Sequence, residues 1–593
     1  MHTLASSSRA DEEAQLLGGE RASQIDEVLP LHLQRRWGKG LRSFLHGPQR
    51  PRIHTIQPIF PSLQSMPLKL LASVKIDNGT WLAGMLLFWL VVFSISLTSQ
   101  LPVKDAAGEY VVNLDCVDTL WKRNNDCGLD GLDCRPFNNR TFAFRCPAKC
   151  GDVRVLNPHH VGPVDVNYRP LVIGAGPYRG DSFICGSALH AGIVDDAKGG
   201  CGRVTFSGKH YDFASTTQNG IESITFDSYF PLSLSLETDE NFECSKDPRS
   251  MLLLVSLFYT TALAIFSTSA QIFFPIFVII FAHVSFVSDP PQASHLNITV
   301  LPDHISMFTK RLLPAMFIAV VVHRTTIKRT LTGLTAQFEK ALLWLGGFWI
   351  GALSNYTFDW IPLARLDAHD LQQQPGAKFA LATIIIILVV IIVGQAYAFW
   401  LEGRLFRYLG LYGIFITAIL LCLAIPGVNL RIHHYILALL LLPGTSMQTR
   451  LSLLYQGVLL GLFVNGVARW DFDSVLQTSE VLRGDALLES SVPVSYLPNI
   501  TAGAEILVAT FQWRAPAMSY DGISVLVNDV ERSRIFFNDE QDWTLKKFQW
   551  ERPPNTDHNE YFRWAFMKNG RTLDYSKAAT LFANGTWLPE SDQ

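Results

Sequence analysis

The longest uncharged stretch of this chain runs from Ser250 to Ser288 and contains no Asp, Glu, Lys or Arg. One membrane-spanning helix needs about 20 apolar residues, so a stretch of about 40 predicts two such helices joined by a tight turn. We expect these helices near residues 250–268 and 271–288. A chain with such a segment is predicted to cross a membrane several times rather than to fold as a soluble globule.

Composition extends this prediction to the whole chain, since 48% of its 593 residues are hydrophobic and only 17% are charged. Other apolar runs bring the predicted number of spans to nine. The remaining predicted spans are residues 80–98, 306–323, 341–355, 378–400, 409–425, 432–444 and 451–468. Residues 250–468 are therefore expected to form a membrane bundle of about eight spans. The run 432–444 is the weakest, and the C-terminus changes sides if that run does not cross.

Residues 1–79 are predicted to be a disordered cytoplasmic tail, because most of this segment lacks apolar periodicity. Lysines and arginines between Arg35 and Lys75 precede the first span. Such residues favour the cytoplasmic side, so we expect a cytoplasmic N-terminus. The hexamer Glu12 to Leu17 resembles an acidic dileucine signal, which would bind a sorting adaptor. The alternative is that this hexamer is ordinary tail sequence.

Residues 99–249 form a polar, cysteine-rich region that we expect in the lumen or outside the cell. Its cysteines are Cys116, Cys127, Cys134, Cys146, Cys150, Cys185, Cys201 and Cys244. Eight cysteines in one segment predict a disulfide framework in an oxidising compartment. The glycosylation sequons expected on the same side begin at Asn139, Asn297, Asn355, Asn499 and Asn584.

The segment Tyr178 to Gly192 predicts a short helix within this region. Cys185, Ala188 and Leu189 have the spacing of one helix face, so they predict a small apolar side that can pack on a sheet. Asp181 or Ser182 is the expected N-terminal cap. Gly192 is the expected left-handed stop.

Six residues of this segment have the spacing of a known signature: Tyr178, Ser182, Cys185, Ala188, His190 and Gly192. The spacing resembles that of the LCCL module. The glycine pair 199–200, the segment 219–223 and the Cys-Pro motif at 146–150 resemble further elements of that family. The resemblance covers about residues 134–236, and the whole chain is similar to fungal multipass proteins that carry an LCCL domain.

This resemblance implies the fold class. We expect a polytopic α-helical membrane protein with a disulfide-rich α+β LCCL lumenal domain and a small C-terminal all-β domain. The resemblance also implies two bridges, Cys134–Cys146 and Cys150–Cys185, and leaves the pairing of the other four clustered cysteines open. LCCL modules are associated with polyanionic glycolipid or glycan surfaces, so such a ligand is implied here.

The candidate ligand-binding residues are His190, Lys198, Arg203 and Lys209. The three cations, with His210, would give the LCCL domain a modest basic face. An alternative for the cations is an ordinary solvated charge set. The alternative for His190 is a half-buried histidine that bonds to a backbone carbonyl, while its functional interpretation is a ligand contact or pH sensor.

The C-terminal region is expected to contain a linker, 469–504, followed by a small all-β domain, 505–593. Strand-like runs at 506–508, 523–527 and 561–564 are separated by Pro, Asn, Asp and Gly. This pattern is typical of a β-sandwich. With nine spans, this domain is expected in the lumen with the LCCL region.

The membrane half carries polar residues towards its predicted lumenal side: His283, Asp303, His304, Asp359, His369, Asp370, His433 and His434. If they converged, they would suit a zinc site for a lipid hydrolase, or a carrier. No metalloprotease or nucleotide-binding motif is present, and no catalytic residue, metal site or cofactor is assigned. Glycines, including the GxxxG pair Gly457 and Gly461, instead predict close helix packing.

The function predicted from the sequence is therefore a multipass membrane protein that displays an LCCL binding or sensing module. The predicted ligand is a glycan or glycolipid, and the expected partners are membrane lipids. A net charge of −3 gives no support for nucleic-acid binding. The expected location is an endosome, vacuole or plasma membrane. The alternative is a membrane-embedded lipid hydrolase or carrier that uses the lumenal His and Asp residues.

Overall fold

The computed structural model describes residues 45–48, 50–74, 77–98, 104–105, 107–122, 126–238, 249–287, 300–363, 371–372, 374–478, 481, 490–514, 519–537, 546–554 and 556–590. Predictions on Glu12–Leu17, Cys244, Asn297, His369, Asp370 and the side chain of Asp303 lie outside this description. The chain divides into a small unit, residues 1–54 and 388–417, and a large unit, residues 55–387 and 418–593.

The main helices differ widely in length. They are α1 Pro61–Val74, α2 Asn78–Thr98, α3 Ile184–His190, α4 Arg249–Phe266, α5 Phe273–Val287, α6 Val300–Val322, α7 Gly346–Ala352, α8 Ala377–Leu401, α9 Leu405–Leu423, α10 His434–Leu441 and α11 Arg450–Trp470. Short π-helical segments, His323–Ile327 and Lys340–Leu345, adjoin α6 and α7.

Among the described residues, seven helices are long and apolar enough to cross a membrane, which agrees with a polytopic membrane protein. They include α2, α4, α6, α8, α9 and α11, together with the continuous helix Ala270–Val287 that contains α5. The predicted spans 341–355 and 432–444 correspond to shorter segments. The second of these is the apolar helix His434–Thr445, which has fewer residues than a full span needs. Seven of the nine predicted spans thus correspond to full-length apolar helices, and the crossing of these two shorter segments stays a prediction.

Helices α7 and α11 pack with their backbones in contact, as the glycine pattern predicts. A Cβ atom on Gly457 would lie 2.1 Å from the carbonyl oxygen of Trp344, and one on Gly461 would lie 2.3 Å from that of Phe348. The space beside Gly351 on the facing helix is equally small, since an added Cβ atom would lie 2.2 Å from a carbonyl oxygen of α11. Only glycine fits at such a separation.

Residues 55–74, predicted to belong to a disordered tail, are part of the large unit and are bonded to other segments of it. Gln64 is buried, and its Oε1 accepts a hydrogen bond of 2.8 Å from the Phe338 amide. The backbone amide of Ile59 donates to Glu339 at 2.7 Å. These hydrogen bonds hold the segment together with the buried side chain of Ile56, which belongs to the core cluster of the membrane helices. The hydrophobic pattern of the sequence does not indicate the hydrogen bonds.

The described part of the cysteine-rich region contains nine strands. They are β1 Val112–Asn113, β2 Asn138–Cys146, β3 His159–Val161, β4 Val164–Val166, β5 Tyr178–Arg179, β6 Gly200–Phe213, β7 Thr217–Gln218, β8 Ile221–Glu222 and β9 Phe226–Glu237. A five-stranded sheet has the order β1-β2-β6-β9-β5, in which only β1 and β2 run parallel. Helix α3 packs on this sheet through Cys185, Ala188 and Leu189, all buried, as predicted.

The disulfides differ from the pairing implied by the family resemblance. The observed bridges are Cys116–Cys150, Cys127–Cys134 and Cys146–Cys185, and Cys201 is also disulfide-bonded. Both expected pairs, Cys134–Cys146 and Cys150–Cys185, are wrong. Cys146 ends the buried strand β2 beneath α3 and so meets Cys185. The short edge strand β1 runs beside the end of β2 and leads to Cys116.

The C-terminal region is an all-β sandwich, as predicted. Its strands are β12 Asn499–Ala502, β13 Leu507–Phe511, β14 Gly522–Val527, β15 Val530–Phe536, β16 Phe548–Arg552, β17 Glu560–Lys568, β18 Arg571–Tyr575, β19 Ala579–Leu581 and β20 Trp587–Leu588. One sheet has the order β12-β13-β16 and the other β15-β14-β17-β19-β20, with β18 beside β17. Strand β12 lies in the predicted linker, so the sandwich begins before residue 505. Two further strands, β10 Asn429–Leu430 and β11 Leu476–Gln477, pair with each other.

Candidate ligand-binding surface

His190, the signature histidine, is fully buried and bonded through both ring nitrogens. Its Nε2 donates to the carbonyl of Thr216 at 3.1 Å, and its Nδ1 accepts from the Tyr178 hydroxyl at 2.8 Å. Burial raises the pKa of Tyr178 to about 12, so this hydroxyl keeps its proton. The Asn219 side chain donates to the His190 carbonyl at 3.0 Å. His190 therefore joins α3 to its neighbours, and in this structure its ring is not exposed to a ligand.

The prediction for the ends of α3 is confirmed only at its C-terminal end. Gly192 has φ of 75°, the left-handed stop that the sequence predicts. At the other end the cap position is Phe183, and no side chain caps the helix. Asp181 is bonded to Arg179 instead, and the Ser182 hydroxyl accepts from the Ile173 amide at 3.0 Å. Both predicted capping residues are thus bonded to partners outside the helix.

The three predicted cations do not form one basic face. Lys198 lies in the exposed turn between α3 and β6. Arg203 pairs with Asp105 at 3.4 Å, while Lys209 lies exposed on β6, its Nζ 5.4 Å from the Tyr211 ring centroid. Six residues of strand separate the last two cations by about 20 Å. The predicted set is therefore divided, and Lys209 lies at the end of β6 that carries Tyr211.

The LCCL region and the C-terminal sandwich meet at a buried seam, which Arg179 crosses. This side chain is fully buried, donates to both oxygens of Asp181 at 2.8 and 2.6 Å, and donates to Asp529 of the sandwich at 2.7 Å. Its guanidinium lies over Phe226 and Phe230, 4.5 and 4.7 Å from the ring centroids. The guanidinium is thus held by charge on its edges and by aromatic rings on its face.

The charges of this seam hold one another ionised. Burial opposes the charged form of Asp181, but the positive charge of Arg179 and a 2.7 Å hydrogen bond with His159 outweigh it, so the pKa of Asp181 lies below its ordinary value. Burial likewise opposes the charge of Arg179, and the carboxylates of Asp181 and Asp529 raise its pKa. Removing any one of these groups would leave a buried charge without its partner.

A second contact of the seam is made by the β3–β4 hairpin. Arg563 of the sandwich donates to the Gly162 carbonyl at 2.9 Å and to Asp165 at 3.1 Å. The Gly162 amide donates to Asp529 at 2.8 Å. A Cβ atom at Gly162, where φ is +57°, would lie 3.0 Å from the Tyr561 ring. The hairpin tip thus fits closely against the sandwich.

Apolar packing continues across the same seam. Val530 and Tyr561 of the sandwich belong to one buried cluster with LCCL residues, among them Val161, Phe226 and Phe230. The Tyr561 hydroxyl donates to Asp227 of β9. The two regions therefore share a core and form one body.

At the outer edge of the seam, three rings from both regions form an aromatic cluster. Tyr211 and Tyr229 of the LCCL region lie 5.7 Å apart, and His558 of the sandwich lies 5.1 Å from the first and 6.0 Å from the second. Tyr211 is 41% exposed. Lys209 lies over Tyr211, and Arg532 donates to the Tyr229 hydroxyl at 2.8 Å. We call Lys209, Tyr211, Tyr229, Arg532 and His558 the seam cluster.

Sequence reasoning finds only Lys209 of the seam cluster. Tyr211 could have been predicted as a surface contact residue, because it is a large aromatic at an outward position of an alternating strand. His558 carries none, since 300 or more residues separate it from the tyrosines that it meets and no local pattern indicates that contact.

The described members of the predicted His and Asp set do not converge. His283 is buried beside Trp349 and Phe93, with ring centroids 5.3 and 6.5 Å away. His433 lies 3.8 Å from Asp473. Within the described residues, no three His, Cys, Asp or Glu side chains are arranged to hold a metal ion.

The sequon asparagines of the extramembrane body are exposed. Asn139 lies on β2, Asn499 on β12 and Asn584 in a turn before β20. Asn355 lies elsewhere, beside α7, where its side-chain oxygen accepts from Asn465 of α11 at 3.1 Å.

Comparison with known proteins agrees with this architecture. The LCCL domain family matches residues 114–232, a range that begins before the expected boundary and so includes Cys116. The chain is 33% identical over 450 residues to an uncharacterized protein of Saccharomyces cerevisiae, covering 71% of this chain and 66% of that protein. It is 29% identical over 124 residues to the cysteine-rich secretory protein LCCL domain-containing 2 of Homo sapiens, covering 21% and 20%. The matches thus span just under two thirds of the first relative and a fifth of the second. No solved structure matches the chain.

Proposed function

We propose that this multipass membrane protein with an LCCL domain is a binding or sensing protein whose ligand is a glycan or glycolipid. The LCCL domain and the C-terminal sandwich act together, as one body in the lumen or outside the cell. The observation that carries this proposal is the seam cluster, because it places the exposed Lys209 and Tyr211 of the LCCL region beside partly buried groups of the sandwich.

The chemistry of the seam cluster suits an anionic sugar. Aromatic rings present flat apolar faces with polar edges, on which the C–H groups of a sugar ring can stack. Lys209 is exposed beside the accessible face of Tyr211 and can pair with a carboxylate, sulfate or phosphate on the same ligand. Arg532, whose contacts include Asp130 at 2.8 Å, instead holds Tyr229 in place.

Three features support a lumenal or extracellular position for this body. Its disulfides are typical of an oxidising compartment, and Asn139, Asn499 and Asn584 are exposed on it. Two regions that share a core must also lie on one side of the membrane. An even number of crossings therefore separates Arg249 from Trp470, so the short segments 341–355 and 432–444 either both cross or both stay on one side.

The test uses the full-length protein, because the LCCL region shares its core with the sandwich. We would reconstitute it in lipid nanodiscs and measure binding to arrays of neutral and anionic glycans and to glycolipid vesicles. Tyr211→Ala removes the exposed ring and should weaken binding of the best ligand about tenfold, as expected for a central aromatic contact.

Tyr110→Ala is the matched control, since Tyr110 is 42% exposed and has Lys104 4.8 Å from its ring centroid. It should bind like the native protein. No saturable binding by the folded native protein, or equal binding by Tyr211→Ala, would contradict the proposal.

A further inference from the structure

A cavity of about 570 Å³ opens beside the turn that joins α4 to the helix Ala270–Val287. Its walls are this turn, with Thr268 and Ser269, and the segment that follows α6, with Arg324, Lys328 and Thr332. A volume of this size is typical of small-molecule sites. It lies apart from the seam cluster and is not used by the function proposed above.

The cavity lies at the membrane surface opposite the LCCL domain. At the first residue of α4, the side chain of Arg249 donates to the carbonyl of Ala148 in the LCCL region, so this end of the helix is next to that domain. The 18 residues of α4 rise about 27 Å, close to the thickness of the hydrocarbon core. The turn at its far end, with the cavity, is therefore at the level of the headgroups of the other leaflet.

The electrostatic character of the cavity is cationic. Arg324 and Lys328 are both exposed, and no carboxylate pairs with either one in the part of the chain that the structure describes. Beneath the turn, the buried Lys340 side chain donates to the carbonyl of Ser267 and to Gln337, each at 2.6 Å, again with no carboxylate partner among the described residues. The nearby acid Glu339 is already paired with Arg450 at 2.6 Å.

The same cavity offers neutral hydrogen-bond donors and a favourable dipole. Hydroxyls of Thr268, Ser269 and Thr332 line it. The helix Ala270–Val287 begins at the cavity, and the Ser269 side chain accepts from the Gln271 amide at 3.2 Å. The first amides of a helix carry partial positive charge. His323 completes the wall, with its ring 4.8 Å from that of Phe274.

From this arrangement we infer that the cavity binds the phosphate of an anionic phospholipid headgroup from the leaflet that faces away from the LCCL domain. Arg324 and Lys328 pair with the phosphate oxygens, and the threonine and serine hydroxyls donate to them. Basic pockets between membrane helices on the cytoplasmic side are known to suit such headgroups. If the LCCL domain is lumenal, this leaflet is the cytoplasmic one.

The experiment measures lipid binding to the full-length protein in nanodiscs of phosphatidylcholine that contain a few per cent of phosphatidylinositol 4-phosphate. Native mass spectrometry counts the bound phosphoinositide. We expect saturable binding of one molecule, weakened about fivefold by Arg324→Gln or by Lys328→Gln, and about 25-fold by both together. Lys328→Arg keeps the charge and should retain binding.

The matched control is Arg407→Gln, since Arg407 is an exposed arginine near a helix end that does not line the cavity. An equal loss in this variant would indicate general surface charge and would overturn the site. If the double variant bound the phosphoinositide as tightly as the native protein, the proposed site would also be wrong. Because both cavity cations are exposed, we expect unchanged thermal unfolding in their variants.

A parallel experiment adds inorganic phosphate in solution and measures both its own binding and its competition with the phosphoinositide. Weak competition at millimolar concentration agrees with a headgroup site, since the lipid is concentrated at the surface. If free phosphate binds as tightly as the lipid, the ligand is a soluble phosphate compound and the lipid inference is wrong. Neither outcome depends on the seam cluster, so this test and the glycan test fail independently.

Discussion

Two interfaces within the large unit are held by different kinds of contact. The seam between the LCCL domain and the sandwich contains ion pairs, with Arg179 between Asp181 and Asp529. The contact between α7 and α11 is made by glycines whose backbones touch. In water, apolar packing drives association, and buried charges with matched partners select one arrangement. In lipid, apolar burial gives no such drive, so close backbone approach is needed.

The comparison also explains how much of each interface the sequence predicts. A GxxxG pair is a local pattern, and Gly457 and Gly461 make the contact that it predicts. The seam depends on Asp529, which lies 350 positions from Arg179. No local pattern pairs such residues. The seam therefore becomes apparent only once both regions are folded.

The largest effect is expected at the centre of the seam. Arg179→Met keeps the length of the side chain but leaves two buried carboxylates without their cation. We expect a loss of about 3–5 kcal/mol in unfolding free energy, the usual cost of breaking a buried ion pair from one side. Thermal unfolding of the full-length protein in detergent measures it.

Arg154→Met is the control for that change, because Arg154 is an exposed arginine of the same domain. It should leave stability within about 0.5 kcal/mol of the native value. Equal stability of the two variants would mean that the seam is not a structural contact.

A smaller effect is expected in the membrane bundle. Gly461→Ala places a Cβ atom where only 2.3 Å separates it from a carbonyl of the facing helix, so the helices must move apart. We expect a loss of about 1–3 kcal/mol, as for other overpacked sites. Unfolding in a graded denaturing detergent measures this loss.

Gly394→Ala serves as its control, since a Cβ atom at that position of α8 would meet nothing within 4 Å. Should both alanine variants unfold alike, close backbone packing would not be what holds α7 and α11.

The smallest effect concerns the β3–β4 hairpin. Burial opposes the charge of Asp165, but its hydrogen bond with His160 and the charge of Arg563 lower its pKa to about 2. A lowered pKa stabilises the fold above the ordinary value near 4, and this stability is lost as pH falls towards 2. Asp165 is 42% exposed, so we expect Asp165→Asn to cost only about 1 kcal/mol at about pH 7.

The same difference should shrink when native protein and Asp165→Asn are compared at about pH 3, because Asp165 is then closer to protonation. Asp152→Asn, at an exposed position of the same domain, is the control. If the stability difference between native protein and Asp165→Asn grew on acidification, the pKa of Asp165 would not be lowered by folding, and the prediction would be wrong.

Particular residues show where prediction from the sequence succeeds and where it ends. The buried face of α3, the stop at Gly192, the all-β C-terminal region and the long apolar helices are local patterns, and the structure has them. The Cys116–Cys150 bridge depends on the two-residue strand β1, which is too short to produce a pattern. Asp181 and Ser182 fail as caps because tertiary partners compete for their side chains.

The central claim is that the LCCL domain and the sandwich form one body, and a double-mutant cycle tests it most directly. Arg179→Met, Asp529→Leu and the double variant would be compared with the native full-length protein by thermal unfolding. Direct contact predicts a coupling energy of at least about 1.5 kcal/mol, as for close charge pairs. Additive losses, within about 0.5 kcal/mol, would mean that the two side chains do not meet and would contradict the account.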